Sequence, residues 1–73
     1  MASLRELRRR RLLTQKELAE RVGVRHQSVQ YWEAGQRYPR PAQQRRLCEA
    51  LDATPEELLA ALDESAEVGK AAA

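Results

Sequence analysis

Among its 73 residues the chain has no phenylalanine, one cysteine, one histidine, one methionine and three glycines. Each scarcity removes a class of protein. Cys48 alone cannot close an internal disulfide, and with His26 it falls short of the three or four ligands of a zinc site. A reducing, cytoplasmic setting is therefore expected. The apolar runs span only a few residues, against roughly 20 for a bilayer crossing, and no signal-peptide core opens the sequence, so no membrane role is expected. No stretch alternates apolar and polar residues as a half-buried strand does. Enzymatic chemistry lacks its parts: there is no paired nucleophile and base, no phosphate-cradling glycine loop and no ligand cluster. We accordingly expect no catalytic residue, no metal, no cofactor and no small-molecule ligand.

Charge is plentiful and unevenly distributed. Residues 1–46 carry 12 Arg or Lys and four Glu, a net +8, whereas residues 47–73 carry Lys70 and seven acids, a net −6. The basic part suits a polyanion, whose phosphates give affinity but little sequence information.

Three segments open with a Ser or Thr followed three residues later by Glu: Ser3 with Glu6, Thr14 with Glu17, and Thr54 with Glu57. This pair satisfies the unpaired amides of a helix start. The apolar spacing then predicts helices over about 4–11, 15–22, 25–33 and 41–51, and a fifth from Pro55 that buries Leu58, Leu59 and Leu62. Gly23 and Gly35 end the second and third, and Pro41 begins the fourth. From Asp63 no apolar face persists, and residues 63–73 are expected to be a frayed tail. The fold class is all-α, a single bundle over residues 1–62.

The pattern L4-x-x-L7-R8, L13-T14-Q15-x-E17-L18-A19-x-x-V22-G23-V24, S28-V29-x-x-W32-E33-x-G35, P39, L47, A50-L51 and P55-x-E57-L58-L59 resembles the helix-turn-helix family of phage Cro proteins, phage repressors and xenobiotic-response-element regulators. The resemblance implies a compact five-helix, lambda-repressor-like DNA-binding domain whose helix-turn-helix unit spans about residues 14–34. It implies a partly buried, structural ion pair between Arg8 and Glu33. It also implies that helix 3 lies in the major groove and that helix 2 crosses the phosphate backbone. By position, His26, Gln27 and Tyr31 match base-contacting residues, with Arg25 and Gln30 beside them. Their chemistry agrees: Gln pairs with adenine, Arg with guanine, and a Tyr ring packs on a thymine methyl. Phosphate contacts are expected from Gln15 at the start of helix 2, from Ser28, and from Arg37 and Arg40 after helix 3.

Some residues depart from the family pattern. Leu12 stands where Gly or a polar residue often ends helix 1, which points to an exposed or partner-facing leucine. Arg25 replaces the usual Ser or Thr cap of helix 3. Gln44 occupies a generally apolar position, Pro41 a commonly aliphatic one, and Cys48 a small core position. The function that follows is sequence-specific binding of double-stranded DNA by a transcriptional regulator, a repressor acting as a homodimer on DNA. The alternative is a protein-interaction module, an antitoxin or adaptor, built on the same fold.

Overall fold

The computed structural model describes residues 2–72, with side chains up to Ala66. Five helices follow one another: α1 (Leu4–Arg10), α2 (Gln15–Val22), α3 (His26–Glu33), α4 (Pro41–Leu51) and α5 (Pro55–Ala72). No strand occurs among the described residues. The starts of α2 and α5 are set by complete capping boxes. Thr14 Oγ1 accepts from the Glu17 amide and Glu17 Oε1 from the Thr14 amide, both at 3.0 Å; Thr54 and Glu57 repeat this at 3.1 Å. At α1 only half of the expected box forms, with Ser3 Oγ accepting from the Glu6 amide. The α1 amide of Leu4 is instead met from across the fold by the buried Ser65 Oγ, at 3.4 Å. At α4, Gln43 Oε1 accepts from the Arg40 amide.

The ends of four helices share one device, a residue in the left-handed backbone region that turns the chain out of the helix. Gly23 and Gly35 do this after α2 and α3, with φ of 80° and 74°. Leu12 and Asp52 do it after α1 and α4, with φ of 58° and 51°. At α1 the paired bonds are Leu12 N–H to the Arg9 carbonyl and Leu13 N–H to the Arg8 carbonyl. The expected exposure of Leu12 is thus tied to strain: its side chain is 90 % exposed at a backbone conformation that suits glycine.

The core is assembled from one stripe of each helix. Leu4 and Leu7 of α1, Leu18 and Val22 of α2, Val29 and Trp32 of α3, and Leu47 and Leu51 of α4 are all buried. Ala19 is small and 3 % exposed at the contact of α2 with α3, which lets the two helices approach. In α5 the buried positions are Leu58, Ala61, Leu62 and Ser65. Two expectations are corrected here. Leu59 falls off that stripe and is 42 % exposed. The helix does not end at Asp63: residues 63–66 continue it, and Ser65 is 2 % exposed, donating to the Ala61 carbonyl while accepting from Leu4. A polar residue, invisible to apolar periodicity, thus holds this part of α5 in the bundle. Side chains 67–73, the rest of the expected tail, lie outside the described residues.

Gly35 has a second duty. A Cβ placed on it would come within 2.8 Å of Ala66 Cα and 2.9 Å of Ser65 carbonyl carbon. The turn after α3 therefore rests directly on the α5 backbone. At Gly23 the corresponding neighbour is only the Arg46 guanidinium, 3.1 Å away, which itself donates to the Val22 carbonyl.

Two stability measurements follow from these turns. Leu12→Gly relieves the left-handed strain and is expected to raise stability by about 1 kcal/mol, a rise of roughly 4–8 °C in a domain of this size. Gly35→Ala combines a strained φ with a clash against backbone and should lose about 3 kcal/mol, whereas Gly23→Ala meets a movable side chain and should lose about 1–2 kcal/mol. Urea unfolding of the three variants checks both; equal losses at the two glycines would remove the proposed contact between Gly35 and α5.

Candidate nucleic-acid interface

The position of α3 is fixed by Glu33 at its last turn, whose side chain is 3 % exposed. Arg8 of α1 meets it with two bonds, Nε to Oε2 at 2.7 Å and Nη2 to Oε1 at 3.3 Å. The third arm of Arg8, Nη1, donates to the Leu13 carbonyl at 2.8 Å and so ties the α1–α2 turn to the same centre. Gln15 Nε2 adds a bond to Glu33 Oε1 at 3.1 Å, and Arg5 Nε approaches that oxygen at 3.6 Å from the exposed side. A buried carboxylate thus has donors from α1 and from the start of α2, and these set α3 against both.

On the outer side of α3 the candidate base-reading residues separate into three arrangements. Arg25 and Gln30 are exposed. Arg25 precedes the helix without capping it through its side chain, so the first α3 amides keep no side-chain acceptor there. His26 is exposed and its Nε2 lies 3.1 Å from Gln15 Oε1. Gln27 is exposed and donates through Nε2 to the Tyr31 hydroxyl one turn later, at 2.9 Å. Tyr31 is half-buried, and the Arg37 guanidinium covers its ring at 4.9 Å from the centroid. One ring face is therefore occupied by a cation.

The candidate phosphate contacts surround this face. Gln15 is half-buried, with one of its two side-chain N–H groups directed at Glu33. The capping box leaves the first-turn amides of Gln15 and Lys16 as outward donors at the positive end of α2. Lys16, exposed beside them, is absent from the set read from the sequence; its charge next to Gln15 was the available signal. Ser28 is half-buried in the first turn of α3, its amide donating to the Arg25 carbonyl. Arg37 and Arg40 are exposed on the 34–40 loop. That loop is held by Gln44 Nε2, which donates to the Pro39 carbonyl at 2.9 Å and so accounts for a polar residue at that α4 position. The Glu17 carboxyl is held below the ordinary glutamate value, chiefly by the Thr14 amide hydrogen bond, and remains anionic where it caps α2.

Away from this face, Cys48 is half-buried, and burial raises its thiol pKa. It packs against the core and also lines a groove of about 510 Å³ between α4 and α5, shared with Pro41, Pro55, Leu58 and Leu59. No group of three metal-ligating side chains occurs among the described residues. Among the described residues no helix is long and apolar enough to cross a membrane.

The Arg8–Glu33 contact generates a stability test. Arg8→Met or Glu33→Met alone leaves a desolvated charge and should destabilise the fold by about 3–5 kcal/mol, while the double substitution recovers part of that loss. A double-mutant cycle by urea unfolding measures the coupling; near-neutral single variants would show that the pair does not hold α3.

Comparison with models of protein families matches residues 2–62 to a family described as "Helix-turn-helix domain". No curated protein and no solved structure matches the chain. The family match covers α1 to α4 and the first half of α5, including the α2–turn–α3 unit and both halves of the Arg8–Glu33 pair. The chain belongs to the helix-turn-helix domain family, in which a second helix is offered to the DNA major groove.

Proposed function

We propose that this protein is a sequence-specific double-stranded DNA-binding transcriptional regulator of the Cro, phage-repressor and xenobiotic-response-element type. The observation that carries the reading is the outer face of α3. Arg25, His26, Gln27 and Gln30 are exposed there, next to the Gln15 and Lys16 amides, which the capping box leaves unpaired, and the Lys16 side chain at the start of α2. An eight-residue helix is about 12 Å long, comparable with the width of a major groove. With α3 in the groove, Arg25, His26, Gln27, Gln30 and Tyr31 meet base edges. Gln15, Ser28, Arg37 and Arg40 meet the flanking phosphates, and the basic N-terminal two thirds supply long-range attraction.

One such module covers little DNA, so two copies on adjacent half-sites about 34–36 Å apart are proposed. The α4–α5 groove, with Leu59 half out of the core, offers an apolar surface for pairing. Occupation of a promoter is the simplest consequence, and repression in the cytoplasm or nucleoid is the proposed outcome.

Selection of bound sequences from a random duplex pool should return a two-fold symmetric site. On that site, Arg25→Ala and Gln27→Ala are each expected to weaken binding by about 1–3 kcal/mol and to relax preference at one position. Arg40→Ala should weaken binding to all duplexes alike and reduce the salt slope by about 1. Anisotropy titrations across salt should give a log–log slope near −5 for about six neutralised phosphates per module. A flat salt response with unchanged Arg25→Ala and Gln27→Ala binding would instead favour a protein-interaction module.

A further inference from the structure

The hydrogen bonds leading from α1 to the outer face of α3 have a direction imposed by chemistry. Glu33 is paired with Arg8 and acts as an acceptor. The Gln15 atom facing Glu33 Oε1 is therefore its amide nitrogen. This turns the amide oxygen toward His26, whose Nε2 lies 3.1 Å away. An amide oxygen only accepts, so Nε2 must carry hydrogen in either charge state of the ring. In the neutral ring the other nitrogen, Nδ1, is then a bare acceptor; in the cation it is a donor.

We infer that Gln15 is a positioning residue that orients His26 to meet DNA through Nδ1, so that the base preferred at the contacted position changes with the ring's protonation. The inference rests on the reading of α3 as the base-contacting helix. A neutral Nδ1 accepts from the amino group of adenine N6 or cytosine N4. A protonated Nδ1 donates to guanine O6 or thymine O4. Adenine and guanine differ in the major groove at that atom, as do cytosine and thymine, so the expected change is a transition at one position of each half-site.

The charged groups around His26 come from three elements. Lys16 of α2 is next to Gln15, and Arg25 precedes His26 in the chain. Glu33 stands one hydrogen bond further on, with Arg8 and Arg5 of α1 upon it. α5 touches the other end of α3, where Gly35 meets Ser65 and Ala66. None of these charges is hydrogen-bonded to the imidazole among the described residues.

His26 is the only histidine in the sequence, so its ring signals identify themselves. Long-range proton–nitrogen NMR of the free protein at alkaline pH should show Nε2 protonated and Nδ1 bare; the opposite tautomer overturns the inference without any DNA being present. Duplex selection is then run at pH 5.5 and pH 8.5. The wild type should shift its adenine-to-guanine or cytosine-to-thymine preference at one position by about fivefold, as expected for one neutral hydrogen bond. Both His26→Gln and Gln15→Leu should abolish the shift; both belong to the proposed binding surface and should also lower overall affinity, so the shift is read as the ratio of selected bases at that one position. A site selected equally at both pH values, or a shift that survives in Gln15→Leu, overturns the inference and leaves DNA recognition by α3 standing. No enrichment at either pH overturns the proposed function itself.

Discussion

The Arg8–Glu33 pair is the constraint on which the rest of the molecule depends, because at this polar centre α1, the α1–α2 turn with the start of α2, and α3 meet inside a small bundle. Its side chains are 11 % and 3 % exposed, so water cannot substitute for a missing partner. Arg suits the position better than Lys: two of its nitrogens meet the carboxylate while a third reaches the Leu13 carbonyl. A point charge on a flexible stem would satisfy one of these groups and leave the turn before α2 unheld. The pair therefore acts on register rather than on net stability, in keeping with the modest balance between desolvation and attraction for buried ions. It fixes which way α3 faces, and the outer face of α3 is where the proposed chemistry lies.

Helix ends supply the second constraint. Short helices of seven or eight residues have few internal bonds relative to their unpaired terminal groups. The chain meets this with capping boxes at α2 and α5 and with left-handed exits from α1 to α4. Two of those exits use glycine and two do not, and the difference follows from surroundings. Gly35 approaches the α5 backbone too closely for any side chain. Leu12 projects into solvent, so only backbone strain opposes it.

This division explains what was legible in the sequence. The bounds of α2 and α4 could be read from Thr14, Glu17, Gly23 and Pro41, because caps and proline act within a few residues. The scaffold residues of the helix-turn-helix, from Leu18 to Trp32, were legible through spacing and through likeness to a known family. The continuation of α5 was not, since Ser65 gains its place from a bond to Leu4, 61 residues away, and from the absence of a side chain at Gly35. Leu59 lies outside the core although three leucines in five residues suggest a broad apolar face, because the buried stripe runs 58, 61, 62, 65 and takes small Ala61 in place of large Leu59. Arg46 and Gln44 were invisible as structural residues for the same reason: their partners, the Val22 and Pro39 carbonyls, belong to other segments.

The candidate reading face was legible as a set of residues but not as an arrangement. The family resemblance put His26, Gln27 and Tyr31 at base-contacting positions and Arg37 among the expected phosphate contacts, and left each free to act singly. In the structure Gln27 leans on the Tyr31 hydroxyl, Arg37 covers the Tyr31 ring, and His26 faces Gln15. Long polar side chains lose up to about 2 kcal/mol of rotamer freedom when fixed at an interface. Bonds already made across the free surface reduce that loss on binding. On the proposed reading of α3 they also narrow the choice of bases, because each residue would meet the groove with particular donors and acceptors already engaged. Gln15 shows the logic most clearly: one side chain is bonded both to the buried Glu33 and to His26. Scaffold and proposed reading surface are thus joined through one amide, so that a change at the ion pair reaches His26 without touching it.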